Sequence, residues 1–412
     1  MTQAKKLLAL LFAVGLVSHA ALGAETPMCT ITLDDLQNGS ITIQPPLPGN
    51  KQVPTGTELT IKATPAAGYA LDTIYYMGTG NQGRMYYENA LPEWKITIDG
   101  SRRVGASFIE QKAVEGFTSK NDIVFAQPGV KKLRYNVYSP NGAKNLPCII
   151  IIHGGGWSVN DQYVMRGLAR ELVRGGTYVV VSADYRWIAT GDGDKTPVTM
   201  ANIIEDVYGA VVHVQEHAAE YGADPARLAV TGDSAGGHLS AAAINMADHI
   251  GDQGFGVKPG VYQFKPTYMP KDKTIDRVRK EVMSAIKASA PSYGVFSEQG
   301  LARSARVQGE ALKAVTPQDN IPNSKERAVP QFLLRGTTDT VIQNAEVQNY
   351  TDALKAAGQR AEYVQVPGAA HAFLDWKPDT RTKDTFRQFG VPYAAKMKDF
   401  FDSIFYPKST QP

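Results

Sequence analysis

The stretch Leu228-Ala229-Val230-Thr231-Gly232-Asp233-Ser234-Ala235-Gly236-Gly237 runs from an apolar strand straight into a serine flanked by glycines. A helical segment is expected to follow, over 235–246. A strand that turns sharply into a helix lifts the central hydroxyl above the sheet, and glycine suits the flanking positions, where backbones approach closely. The G-x-S-x-G pattern is weak by itself and gains weight from the strand before it and the helix after it. Ser234 is therefore the expected nucleophile, against the plainer reading of a structural turn serine.

Outward from this point, apolar runs alternate with helical segments. A hairpin is expected over 122–126 and 132–138. Strands follow over 148–152, 178–182, 228–231, 286–292, 331–335 and 362–366. Helices are expected over 164–174, 200–219, 235–246, 345–357 and 393–405. Strands that read as continuous apolar runs and are interleaved with helices indicate a doubly wound, mostly parallel α/β sheet covered on both faces.

Chemistry-bearing residues fall at the ends of these strands. His153-Gly154-Gly155-Gly156 follows the 148–152 strand. Three glycines let the backbone curl so that the amides of Gly155 and Gly156, with that of Ala235, can serve as an oxyanion hole. His153 reads as a brace for this loop. Asp339 closes the 331–335 strand in Gly336-Thr337-Thr338-Asp339, and His371 follows the 362–366 strand in Gly368-Ala369-Ala370-His371. The chain order Ser234, Asp339, His371 is that of the α/β-hydrolase triad. Asp233 and Asp206 are rival acids, one locked beside the nucleophile and the other inside a helix. His213, His217, His238 and His249 lie on expected helices or their ends, where structural roles are the default.

The 412 residues are 43% hydrophobic and 20% charged, a globular composition with room for two domains. Lys5 and Lys6 precede the apolar run 7–17, and small residues follow, so residues 1–24 read as a secretory signal peptide. Secretion or a periplasmic location is the expectation. Without those two lysines the formal charge falls from +3 to +1, which is no footprint for nucleic acid or an anionic membrane. The two cysteines, Cys29 and Cys148, allow one disulfide, though a buried thiol at Cys148 is the simpler reading. No Cys/His cluster has metal spacing, so no metal and no cofactor are expected. Oligomeric state is open.

Residues 27–110 read as a small all-β domain, with alternating runs over 30–33, 40–43, 58–63 and 94–98 divided by Gly, Pro and Asn turns. Its Asn38-Gly39-Ser40-Ile41-Thr42-Ile43, Ala63-Thr64-Pro65-Ala66-Ala67-Gly68-Tyr69 and Arg103-Val104-Gly105-Ala106-Ser107-Phe108 segments resemble the internalin-type B repeat. It departs from that repeat where Ile74-Tyr75-Tyr76 stands in place of a Trp. A spacer or docking module is expected, with no share in the chemistry.

Residues 111–408 are expected to form the catalytic domain. They resemble the hormone-sensitive-lipase-like esterases, nearest the feruloyl and acetyl esterases of plant polysaccharides, through His153 to Trp157, Ser182-Ala183-Asp184-Tyr185-Arg186, Gly232 to Gly237, Leu333 to Asp339 and Gly368 to Phe373. The resemblance implies hydrolysis of acetyl or feruloyl esters on a small-molecule or carbohydrate substrate. Arg335 departs from it, standing where such esterases commonly have His. A long insertion over 249–285 is another departure. It is expected to form a polar lid, with Ile275, Val278 and Val282 as a stripe packed onto the domain. Trp157, Tyr185, Trp187 and Phe373 lie near strand ends, where ligands sit in such sheets, and are the expected substrate-binding aromatics. A general short-chain carboxylesterase, a serine peptidase and a non-catalytic binding protein on a hydrolase scaffold are the alternatives. An intact triad argues against the last, and the absence of a propeller domain against the peptidase.

Overall fold

Four consecutive isoleucines, Ile149 to Ile152, lie at the centre of the molecule because their strand is covered on both faces. In the computed structural model, which describes residues 26–79, 85–193, 196–258, 261–305 and 307–407, all four are buried. Ile150 and Ile152 pack into one apolar core and Ile149 and Ile151 into another, as the two-residue period of a strand requires. The signal-peptide reading of 1–24 falls outside the described residues.

The described residues open with eight strands: β1 Met28–Leu33, β2 Gly39–Gln44, β3 Gln52–Pro54, β4 Glu58–Pro65, β5 Tyr69–Gly78, β6 Tyr86–Asn89, β7 Glu93–Thr97 and β8 Arg102–Glu110. They form two sheets, ordered β3-β1-β8-β5-β6 and β2-β4-β7, around a core of residues such as Ile31, Leu59, Ile61 and Phe108. The alternating runs of the sequence correspond to β1, β2, β4 and β7. Strand β5 lacks that alternation because its second face, carrying the buried Asp72 and Thr73, is covered as well.

The α/β part carries β9 Phe117–Ala126, β10 Leu133–Pro140, β11 Leu146–Ile152, β12 Val179–Ala183, β13 Ala223–Asp233, the hairpin β14 Gly254–Lys258 and β15 Val261–Gln263, then β16 Ile286–Ser292, β17 Gln331–Gly336 and β18 Ala361–Val366. Its helices are α1 Arg166–Val173, α2 Met200–Glu216, α3 Ala218–Tyr221, α4 Ala235–Asn245, α5 Ile275–Ala285, α6 Glu298–Leu301, α7 Glu310–Ala314, α8 Asn344–Ala356, α9 Thr380–Thr385 and α10 Val391–Phe405. The sheet order is β18-β17-β16-β13-β11-β12-β10-β9, with β10 antiparallel to both of its neighbours. Helices α1 and α10 pack together, and α2, α4 and α5 form a second group. Among the described residues no helix is long and apolar enough to cross a membrane.

The described residues of the insertion over 249–285 do not form the expected lid. They wrap α2 instead: Tyr262 Oη and the Lys265 amide donate to the Glu205 carboxylate at 3.3 and 3.2 Å, and the Thr267 amide donates to the Glu205 carbonyl. On α5, Val278 and Val282 are buried against the core, and Ile275 packs beside them. The reason is topological. Helix α4 runs back from Ser234, and its 11 residues carry the chain about 16 Å from the serine before the insertion starts.

The β part is locked to the α/β part by buried charge. Asp72 on β5 accepts from Arg166 Nε and Arg170 Nη1, both at 2.9 Å, and from Trp376 Nε1 at 3.0 Å. Glu88 on β6 lies 2.7 Å from Arg166 Nη2, and Lys383 Nζ is 3.7 Å from Asp72. Burial alone would raise the Asp72 carboxyl, but Arg166, Arg170 and Lys383 outweigh it and hold Asp72 well below the usual carboxylate range. Cys29 and Cys148 are both buried free thiols, one in each part.

Candidate active site

At the end of β13 the chain turns at Ser234 with φ 52° and ψ −114°, a conformation unusual for a residue with a side chain. The Ser234 amide donates to the Ser292 carbonyl at 2.9 Å, anchoring the turn to β16. Gly236 is required because a Cβ there would run into the Ile152 carbonyl of the adjacent strand.

Ser234 Oγ lies 2.9 Å from His371 Nε2, and His371 Nδ1 lies 2.8 Å from Asp339 Oδ2. Asp339 Oδ1 accepts from the amides of Val341 and Ile342 at 2.8 and 2.9 Å. Burial pushes the Asp339 carboxyl up, but the His371 hydrogen bond and these amides more than offset it and hold it below its ordinary value. An ionised carboxylate can only accept, so Nδ1 carries the proton and Nε2 is free to accept one from the serine. Arg335 fixes the Asp339 loop by donating to the carbonyls of Ile342 at 2.7 Å and Asp339 at 2.8 Å. Tyr293 supports the histidine: its ring meets that of His371 edge-on at 4.9 Å, and its hydroxyl accepts from the Leu374 amide at 3.1 Å.

The glycine loop sits opposite. Gly155 and Gly156, with φ 117° and 58°, line the same cavity as Ser234. Ala235 is the first residue of α4, where an amide has no intrahelical acceptor. Asp233 serves this loop rather than the histidine, accepting from the Gly154 amide at 2.7 Å. Burial, reinforced by neighbouring Asp375, holds the Asp233 carboxyl well above the usual range. His153 stacks on Tyr185 at 4.2 Å, and its Nε2 faces Asp184 at 3.3 Å. Asp206 is paired with Arg186 at 2.8 Å. His238 accepts from Trp157 Nε1 at 3.2 Å, and burial pushes it down to about 4.

Two cavities meet at Ser234. One, of about 730 Å³, includes His371, Gly155, Gly156, Trp187 and Lys377. The other, of about 840 Å³, includes Trp157, Val295, Arg303 and Glu346. Trp157 and Trp187 thus border the site. Tyr185 and Phe373, both expected there, are fully buried: Tyr185 lies beneath the glycine loop, and Phe373 packs on Tyr293. Strand-end position in the sequence does not tell which layer a ring enters. Among the described residues none of 249–285 borders either cavity, whereas Met85 and Tyr87 of the β part border the first. Among the described residues no group of three or more His, Cys, Asp or Glu side chains could hold a metal ion.

The BD-FAE family model matches residues 135–354, more than half of the chain, including the glycine loop, Ser234 and Asp339. The chain belongs to the BD-FAE family. Among relatives of this BD-FAE chain, Esterase LipQ of Mycobacterium tuberculosis is 29% identical over 270 residues, covering 57% of this chain and 56% of that protein. Carboxylesterase NlhH of the same organism is 38% identical over 124 residues, 30% of this chain and 37% of that one. The chain thus spans about half, or less, of the length of these curated relatives. A solved structure of Thermogutta terrifontis esterase with propionate bound is similar at 25% identity and a TM-score of 0.52, covering 72% of this chain and 98% of that one. The native form gives 24% identity and a TM-score of 0.51 over 72% of this chain and 96% of that one, a likeness of fold.

Proposed function

We propose that this chain hydrolyses carboxylic esters through an acyl-enzyme formed on Ser234. The observation that carries the reading is the unbroken hydrogen-bonded path from Ser234 Oγ through His371 to Asp339. Ser234 Oγ attacks the ester carbonyl as its proton passes to His371 Nε2, and the C–O bond to the alcohol breaks as that proton moves on to the alkoxide. Water, activated by the same nitrogen, then cleaves the acyl-enzyme. The amides of Gly155, Gly156 and Ala235 receive the oxyanion, where one donor is typically worth about 3–4 kcal/mol. The names of the relatives, Esterase and Carboxylesterase, support the reaction class.

Acetyl or feruloyl esters of polysaccharides are the proposed substrates, supported by the sequence resemblance and by two cavities large enough for a ring on each side of the serine. The leader-like residues 1–24 support export. Replacing Ser234 by Ala should leave the melting temperature near that of the parent and lower hydrolysis of p-nitrophenyl acetate by several orders of magnitude. Full activity in that variant would overturn the reading. Across p-nitrophenyl acetate, butyrate and decanoate, methyl ferulate and acetylated xylan, the substrate proposal requires strong turnover of one of the last two. A preference for butyrate over both would mark a general short-chain carboxylesterase.

A further inference from the structure

We infer that the N-terminal β part builds the pocket for the leaving alcohol, with Tyr87 as a stacking wall for a ring-bearing alcohol that has an apolar face and a polar rim, such as a pyranose. The inference rests on the ester-hydrolase reading and extends it to a part of the chain that holds none of the reacting groups.

The two cavities at Ser234 are not equivalent. In acylation the Ser234 Oγ–carbon bond forms, the carbon–alcohol bond breaks, and His371 Nε2 passes the serine proton to the departing oxygen. The alcohol must therefore lie on the side of the serine that holds His371. His371 borders the first cavity and not the second. The acyl group is left with the second cavity, among Trp157, Val295 and Ile342.

The alcohol side is a composite. Val159, Asn160, Trp187 and Lys377 come from the α/β part, and Tyr87 and Met85 from the β part. Tyr87 is 39% exposed, with one ring face stacked on Tyr76 at 4.9 Å and Tyr76 stacked in turn on Trp94 at 5.2 Å. A ring backed by two others presents a fixed flat surface at little entropic cost. Trp187 is held by its own hydrogen bond to the Asn160 carbonyl at 3.0 Å and by Lys131, 4.6 Å above its ring. Two flat rings with an amide and an ammonium group nearby suit a ligand that is apolar on its face and hydroxylated at its edge. The wall is also fixed in place. Glu88, next to Tyr87, pairs with Arg166 of α1, and the Asn89 side chain donates to Asp122 at 3.4 Å.

Acetates that differ only in the alcohol test this. For the intact chain and its Tyr87→Ala variant, kcat/KM is measured on ethyl acetate and on an acetylated methyl xylopyranoside. The ratio of the xyloside value to the ethyl value should fall roughly fivefold to tenfold in Tyr87→Ala, chiefly through KM on the xyloside. Tyr87→Phe, which keeps the flat face, should restore most of it. Tyr87→Leu, which keeps apolar packing on Tyr76, should behave like Tyr87→Ala and covers the case in which the alanine variant melts early. An unchanged ratio, or a shift that follows the acyl group in an ethyl acetate and ethyl butyrate pair, would overturn the inference. Failure of the ester-hydrolase reading is distinct: the parent chain would then turn over neither ester, or Ser234→Ala would turn over both.

Discussion

At Asp339 the two carboxylate oxygens have separate duties. Oδ1 accepts the amides of Val341 and Ile342, and Oδ2 accepts His371 Nδ1–H. In Asp339→Asn the amide oxygen must stay with the two backbone donors, so the NH₂ group turns to the histidine. A donor there forces Nδ1 to accept and moves the ring proton to Nε2, where the serine proton has to go. We expect kcat on p-nitrophenyl acetate to fall on the order of 10³- to 10⁴-fold with little change in KM or in the circular dichroism spectrum. A variant within tenfold of the parent would mean that the carboxylate does not set the tautomer. These residue types were legible in the sequence because each stands just past an apolar strand. Tyr293 also stands just past a strand, and Arg335 stands out as a departure from the family pattern, but neither signal says that these residues hold the histidine and the acid. Their roles come from a ring edge and two carbonyls that only the folded loops bring near. Tyr185 and Phe373 stand at strand ends too, and there the same signal led to buried struts.

On the scale of elements, β5 and β6 are the hardest to read, and β6 brings Tyr87 to the cavity beside Ser234. A strand buried on one face alternates, and β1, β2, β4 and β7 do; β5 is buried on both faces and does not. Asp72 looks like a surface residue until Arg166 and Arg170, nearly a hundred positions later, close on it. The insertion over 249–285 was misread for a related reason, since its length says nothing about the edge of the sheet it leaves from. The Asp72 cluster makes a prediction with a definite sign. Its folded pKa lies well below the unfolded one, so its stabilisation is complete above the ordinary aspartate value near 3.9 and is lost as pH falls through and below it. Asp72→Asn should therefore unfold well below the parent at pH 6–7, by about 3–5 kcal/mol for a broken buried pair, and the gap should close below about pH 4. A gap that is constant from pH 7 to pH 3 in thermal melts would show that the lost stability is packing rather than charge.

For the whole molecule, the doubly wound sheet follows from apolar runs alternating with helical segments. The relation between its two parts does not, because it depends on a few long-range contacts between residues that look ordinary in the chain. The sequence suggested a spacer that could be removed without effect on small esters. In the structure that removal would strip the carboxylates of Asp72 and Glu88 from Arg166, Arg170 and Lys383, leaving three cations at a newly opened apolar seam beside Trp376. The opened seam would lose these ion pairs and expose apolar side chains to water at roughly 1.5–3 kcal/mol for each large one, a sizeable part of the total stability of many domains. A chain lacking residues 27–110 should accordingly melt well below the parent or fail to accumulate in soluble form. Where a folded fraction is recovered, Ser234, His371 and Asp339 remain together, so ethyl acetate should still be turned over. The cavity on the His371 side would have lost Tyr87 and Met85, so the preference for a pyranoside acetate over ethyl acetate should fall at least as far as in Tyr87→Ala. Melting and the alcohol ratio are measured on the same preparation, since one reports the seam and the other the wall. A truncated chain with the parent's melting temperature and the parent's alcohol preference would return the β part to the role of a spacer.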